Sequence, residues 1–290
     1  MTRVLLTGAT GYVGGALLPE LLSRGHAVRA LTRDPSRAQL PDEVEVVAGD
    51  VVRGTGLDDA LRGIDVALYL VHSMGTGAGP FADADRSGAQ AFAQAASRAG
   101  TGRVVYLGGL SGASEHLRSR EEVADVLREH GPPLVHARAA MVIGPGSASF
   151  DMMRALVERL PVMVCPKWVD TRSQPIAIRD AVRALADLVE LQDAPPEVEL
   201  GGTDVLTYRE MMRRYARVAG RRPPLIVPVP VLTPRLSSLW VTLVTPVDSG
   251  LARPLIDGLS SEMVVRTPPP PGINDAPLSF EAAVREALGG

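Results

Sequence analysis

Val4-Leu5-Leu6-Thr7-Gly8-Ala9-Thr10-Gly11-Tyr12-Val13-Gly14 stands near the start of the chain, and its reading decides the fold. Residues 4–7 are a short, continuous apolar run, the pattern of a strand covered on both faces. From Tyr12 the spacing predicts a helix to Ser23. Between them Gly8 permits a tight turn, Gly11 lets a pyrophosphate approach the backbone, and Gly14 lets helix and strand pack closely. The helix N-terminus brings free N–H groups and partial positive charge to the same place. A lone glycine pattern carries little, but here strand, loop and helix follow in the order a dinucleotide site requires. Thr7, Gly8, Thr10, Gly11, Tyr12, Val13 and Gly14 are therefore candidate cofactor-binding residues.

Working outward, β-rich runs at 27–32, 44–47, 66–71, 104–108 and 134–137 alternate with helical patterns at 12–23, 57–61, 81–99 and 119–129. Repeated β-α-β units imply right-handed crossovers and an α/β fold, a Rossmann-type doubly wound parallel sheet. After Gly144-Pro145-Gly146 the character changes to helices near 150–159, 179–191 and 208–218 with proline-bearing connections. The expected division is a nucleotide-binding domain over 1–148 and a small, partly interleaved C-terminal cap over 149–290. Elements at about 174–200 should return from the cap to the core.

Composition sets bounds. The chain has 290 residues, 46% of them hydrophobic, and a formal charge of -3, which gives no basic surface for nucleic acid. Cys165 is the sole cysteine, so neither an intrachain disulfide nor a cysteine-built metal site is available, and no metal is expected. The longest apolar stretch, 225–247, contains Pro228, Pro230, Pro234 and Pro246 with Arg235 near its middle. That composition argues against a membrane span and for a buried or interface-forming segment. No secretory pattern precedes the first strand, so the expected address is cytoplasmic. Monomer and homodimer both stay open.

Arg33 falls at the end of the second strand, where an acidic residue would accept from an NAD ribose. A guanidinium there pairs with a 2′-phosphate in a fork geometry, so NADP(H) is expected over NAD(H); a solvated loop arginine is the plainer alternative. Gly49-Asp50-Val51 follows the third strand: Asp50 can accept from the adenine amino group, with Val51 against the ring, or can cap a turn. Val71 and His72 close the fourth strand at the carboxyl edge, where open α/β sheets bind ligands. The glycine-rich run 75–79 beyond them has no apolar anchor and is expected to order over a ligand.

These features, with Tyr106-Leu107-Gly108-Gly109-Leu110-Ser111 and Gln174-Pro175-Ile176-Ala177-Ile178-Arg179-Asp180, resemble the short-chain dehydrogenase/reductase superfamily in its extended and atypical branches. Ser114-Glu115-His116-Leu117-Arg118-Ser119-Arg120 is similar to the subgroup of NmrA-like proteins and the complex I nucleotide-binding subunit. The resemblance implies an NAD(P)-binding oxidoreductase, usually run by a Tyr-x-x-x-Lys pair. This chain departs from that pattern. Lys167 is its only lysine, Met163 stands four residues before it, and the tyrosines lie at 12, 69, 106, 208 and 215.

At the corresponding spacing stand His116 and Arg120, four residues apart and on one helix face. Arg120 can replace the lysine at the ribose, and His116 can donate a proton near neutral pH; a merely charged surface helix is the alternative. His72 is a second catalytic candidate. Ser111 stands where the superfamily often binds substrate, or begins a turn. At the substrate end Met152 and Trp168 offer an apolar wall, with Arg172 and Gln174 nearby; Arg172 can hold an anionic oxygen or form a structural ion pair. The expected function is an NADP(H)-dependent oxidoreductase acting on a small carbonyl, quinone or unsaturated substrate. A non-catalytic nucleotide-binding sensor or assembly protein stands as the alternative, and an isomerase or dehydratase with a tightly held cofactor is a third reading.

Overall fold

The computed structural model describes residues 1–71, 81–110, 115–229 and 258–289. Six strands build the first half: β1 (Arg3–Thr7), β2 (Ala27–Thr32), β3 (Glu45–Ala48), β4 (Val66–Tyr69), β5 (Arg103–Gly109) and β6 (Leu134–Ala139). Then come β7 (Val142–Ile143), β8 (Val162–Pro166), β9 (Arg172–Ser173), β10 (Ile176–Ala177), β11 (Glu197–Leu200), β12 (Leu206–Thr207) and β13 (Leu225–Val229). The helices are α1 (Tyr12–Ser23), α2 (Leu57–Leu61), α3 (Phe81–Ala99), α4 (Glu115–His130), α5 (Ala148–Arg159), α6 (Ile178–Glu190), α7 (Tyr208–Val218) and α8 (Phe280–Gly289).

The central sheet has seven strands in the order β11-β6-β5-β4-β1-β2-β3, all parallel. Side chains alternate across it. Val4 and Leu6 face α1 and α6, packing with Leu17, Leu21, Ala181 and Leu185. Leu5, on the opposite face, joins Phe92, Ala96, Val123 and Leu127 of α3 and α4. Both faces are buried, which is why these strands read as unbroken apolar runs. The order reverses between β1 and β4, and the crevice outside their carboxyl ends is where such sheets bind ligands.

Two features depart most from the sequence pattern. Helix α4 starts at Glu115, a turn before the expected 119, so residues 115–120 of the Ser114–Arg120 motif are helical. The seventh strand, β11, was not anticipated. Its Glu197-Val198-Glu199-Leu200 alternates acid with apolar, the pattern of an edge strand that buries one set of side chains only. It pairs with β6, while the preceding α6 packs against α1. This stretch thus rejoins the sheet from the second half of the chain. The remaining second half surrounds its own apolar cluster, in which Phe150, Met153, Leu156, Tyr208, Met211, Tyr215 and Phe280 are all buried.

Among the described residues no helix is long and apolar enough to cross a membrane. Residues 230–257, most of the apolar stretch singled out above, lie outside the described residues.

Candidate functional site

The glycine loop sits at the carboxyl end of β1, beside the switch point. Thr7 is fully buried, and its hydroxyl donates to the Leu68 carbonyl (3.0 Å) while accepting from the Leu70 amide (2.9 Å). Its side chain therefore clamps β1 to β4 and positions the loop without reaching the crevice. Gly8 adopts φ +70°, which an L side chain would strain. A Cβ on Gly14 would stand 2.1 Å from the Gly8 carbonyl, so α1 reaches the loop only because that carbon is missing.

Helix α1 begins at Gly11 with no capping side chain and no acidic residue in its first turn. Thr10 and Gly11 are exposed. The positive helix end thus meets the crevice without an internal carboxylate to neutralise it, an arrangement that fits a pyrophosphate. Val13 packs partly against the core beneath.

A cavity of about 380 Å³ opens past the carboxyl ends of β2 and β3, lined by Arg33, Ala48, Gly49, Asp50, Arg53, Thr55 and Gly56 and by no residue of the glycine loop. Arg33 is exposed and, among the described residues, makes no hydrogen bond or ion pair. Asp50 Oδ1 accepts from the amides of Val52 (2.9 Å) and Arg53 (3.3 Å), so this carboxylate caps its own turn. Its second oxygen lies 3.8 Å from the Arg53 guanidinium. Val51 requires correction: at 5% exposure it packs among Leu57, Leu61 and Phe92, so its side chain is core and offers no face to a ring. The apolar side chain exposed at this turn is Val52. Arg53 escaped the sequence reading. The available signal was a second arginine in the turn that follows the third strand.

His72, Ser111 and the 75–79 loop lie outside the described residues, as does the side chain of His116. Val71 is half-buried against the α3 side of the sheet. The backbone of His116 belongs to the first turn of α4, with Arg120 one turn later. The Arg120 guanidinium packs beside Gly109 at the end of β5. Its Nε is buried with no hydrogen-bond partner among the described residues, and burial pulls its pKa below the usual arginine value. The Tyr106 hydroxyl donates to the Arg120 carbonyl (3.2 Å), which ties the first turns of α4 to β5.

Beneath this helix lies a second set of polar groups. His136 is fully buried, stacked on Tyr106 at 5.1 Å, and neither ring nitrogen has a partner among the described residues. Burial and the nearby Arg138, Arg128 and Arg120 push it down to about 3, so it is neutral at ordinary pH. Glu121, His136 and Glu197 bring one donor atom each within 4.8 Å of one another. The Arg138 guanidinium already bridges the two carboxylates, at 2.6 Å to Glu121 and 3.2 Å to Glu197. The cluster is a neutralised charge network under the sheet edge.

Tyr12 joins the loop to the second half. Its phenol packs on Gly144 and Gly146, in the turn between β7 and α5. The hydroxyl is buried without a hydrogen bond, and burial, with the field of Asp151, pushes its pKa up. The substrate candidates come out differently. Met152 (3% exposed) and Trp168 (8%) are packed within the second apolar cluster, Trp168 edge-on to Tyr208 at 6.0 Å. They build this cluster and present no open wall. Arg172 is exposed and paired with Glu262 at 2.5 Å, the structural reading of that residue. Gln174 donates to the Gly202 carbonyl (2.7 Å) and accepts from the Val265 amide (3.1 Å), so both ends of its amide are spent on loops. Sequence cannot separate such uses from ligand contact, because the same side chains serve both.

Comparison with known proteins agrees with this geometry. A family model described as NAD(P)H-binding matches residues 8–140. A ceramide reductase of Caulobacter vibrioides is 32% identical over 270 residues, covering 86% of this chain and 82% of that protein. The (4-alkanoyl-5-oxo-2,5-dihydrofuran-3-yl)methyl phosphate reductase of Streptomyces griseus is 30% identical over 230 residues, covering 75% of this chain and 74% of its own. Among solved structures, the Citrobacter sp. triphenylmethane reductase complexed with NADP(H) shares the fold, with TM-score 0.78 at 18% identity over 99% of this chain and 100% of that one. The glycine loop, the switch-point crevice and these relatives converge: the chain belongs to a family of NAD(P)H-binding oxidoreductases.

Proposed function

We propose that this protein is an NADPH-preferring reductase acting on a carbonyl or conjugated double bond in a molecule that carries an alkyl chain. The observation that carries the cofactor preference is Arg33, exposed and unpaired at the end of β2, with Arg53 lining the same cavity. Two guanidiniums at that position suit a 2′-phosphate, and Asp50, the acid of the same cavity, spends Oδ1 on its own turn. The substrate class rests on the two relatives, one named for a ceramide and the other for an alkanoyl compound; both molecules carry alkyl chains.

A bound nicotinamide would supply the hydride. The chain's own part is positioning and proton supply. The first turn of α1 holds the pyrophosphate, and Thr7 keeps that turn in register with β4. Arg120, buried and short of a hydrogen bond at Nε, holds the nicotinamide ribose in place of the family's lysine. His116, one turn earlier on α4, donates the proton to the reduced oxygen or carbon. The region 149–290, without the return at about 174–200, receives the substrate.

Titration with both cofactors tests the first half. NADPH is expected to bind about 10- to 150-fold more tightly than NADH, the worth of one charge-assisted contact, and Arg33→Glu should erase the difference. Equal affinities in the native protein would overturn the preference. NADPH oxidation with ketones of increasing chain length tests the second half. His116→Phe should keep NADPH affinity and lower turnover about 10²- to 10⁴-fold, the range for one general acid. NADPH binding with no oxidation by any carbonyl or enone would favour a nucleotide sensor.

A further inference from the structure

Strands β8 and β13 form a separate two-stranded parallel pair, with Leu225 beside Val162 and Val227 beside Val164. Alternation sends Met163, Cys165 and Ile226 inward, where each is buried. The other set faces out: Val162 is 53% exposed, Val164 48%, Leu225 61% and Val227 40%. Parallel strands are ordinarily covered on both faces, so four neighbouring exposed aliphatic side chains, uncovered by the described residues, stand out.

Charge surrounds it. Because the strands are parallel, their N-terminal ends coincide, and the Leu225 amide donates to the Pro161 carbonyl there (2.9 Å). Arg159 precedes β8 and Arg221 and Arg222 precede β13, all exposed, while Lys167 lies exposed at the opposite end. Of the acids nearby, Asp170 is neutralised by an ion pair, whereas Glu158 makes a neutral hydrogen bond and keeps its charge. Glu158 accepts from the Tyr215 hydroxyl (2.6 Å), and Asp170 is gripped by Arg209 (2.7 and 3.0 Å). The result is an apolar face with a basic rim.

We propose that this face docks on an anionic lipid surface, which would bring the cap to the membrane that holds an alkyl-bearing substrate. The inference rests on the substrate class proposed above. A bilayer matches both features: aliphatic side chains enter the interface and arginines meet anionic headgroups. A second copy fits less well, because a two-fold interface would set one basic rim against an identical one.

The test is co-sedimentation of the whole protein with vesicles of phosphatidylcholine, alone or mixed with phosphatidylglycerol. Binding is expected to the mixed vesicles and to weaken with salt. Arg221→Glu with Arg222→Glu should lower it by at least ~20-fold, since each arginine near such a surface is worth roughly a factor of five. Val164→Thr with Val227→Thr keeps the branched shape and should lower binding by about ten-fold. Should the threonine pair disturb folding, the arginine pair, which leaves the apolar face intact, decides alone. Turnover of a soluble short-chain ketone should be unchanged in either variant. Absence of binding to mixed vesicles overturns the proposal even if turnover is normal. A dimer in solution that the threonine pair splits also overturns it, in favour of a second copy. Binding without turnover of any carbonyl leaves docking standing and removes the reductase reading instead.

Discussion

The cofactor crevice and the second apolar cluster, built by one chain, use their nominated residues in opposite ways. In the crevice, Thr10 and Arg33 are exposed and make no hydrogen bond or ion pair among the described residues, and Gly11 is exposed with its own polar groups spent only on the loop and helix backbone. In the second half, Met152, Trp168, Arg172 and Gln174 are all consumed, two by packing, one by Glu262 and one by two loop contacts. The difference lies in what each region needs. A pyrophosphate is held by backbone geometry that a few glycines dictate locally, whereas a substrate pocket is made of residue types that also build cores.

If that contrast is right, Met152→Ala should cost stability without touching the cofactor. Truncating a buried methionine is worth about 2–5 kcal/mol, read as a lower urea midpoint, with NADPH affinity unchanged. An altered affinity would mean that this cluster and the crevice are not separable.

Gly11→Val makes the reverse claim. Its Cβ would meet only the Gly8 carbonyl at 3.1 Å, so the fold should survive, as seen by circular dichroism. NADPH binding should nevertheless fall on the order of 100-fold, because the branched side chain occupies the side from which the phosphates approach. Gly14→Val, with its 2.1 Å overlap, should lose fold and binding together. Normal binding by the Gly11 variant would remove the loop as cradle.

His136 probes the sheet edge beneath α4. The unfolded chain takes up a proton near pH 6.5, and the folded chain refuses it until about pH 3. Below pH 6.5 the unfolded state therefore binds more protons, so stability should fall as pH drops, by up to ~1.4 kcal/mol per unit from this group. His136→Phe should flatten that part of the profile, while the carboxylates contribute to both proteins. Parallel profiles for the two would show that His136 titrates normally.

The smallest effect is expected at Arg172→Ala. Its exposed pair with Glu262 should be worth under ~1 kcal/mol, with turnover unchanged. A selective rise in KM would return Arg172 to the substrate end.

Much of the nucleotide half was legible because its signals are local. The strand at Ala27–Thr32 and the helices at Tyr12–Ser23, Leu57–Leu61 and Phe81–Ala99 have the bounds their periodicity predicts. β11 was hidden: Glu197-Val198-Glu199-Leu200 is four residues long and half acidic, and only its place beside β6 makes it a strand. The pair β8 and β13 was hidden for a related reason, since some sixty residues separate two strands that find each other only in three dimensions.

Sequence alone determined the dinucleotide fold, the position of its phosphate loop and the absence of a Tyr-x-x-x-Lys pair, because each is a matter of residue type at short spacing. Tertiary structure decided what those residue types are used for. Thr7 became a clamp between strands, Val51 a core residue and Asp50 the cap of its own turn. Arg53 joined Arg33 in one cavity. The reason is physical: a side chain has a fixed number of hydrogen bonds and one face to bury, and the rest of the fold claims them first.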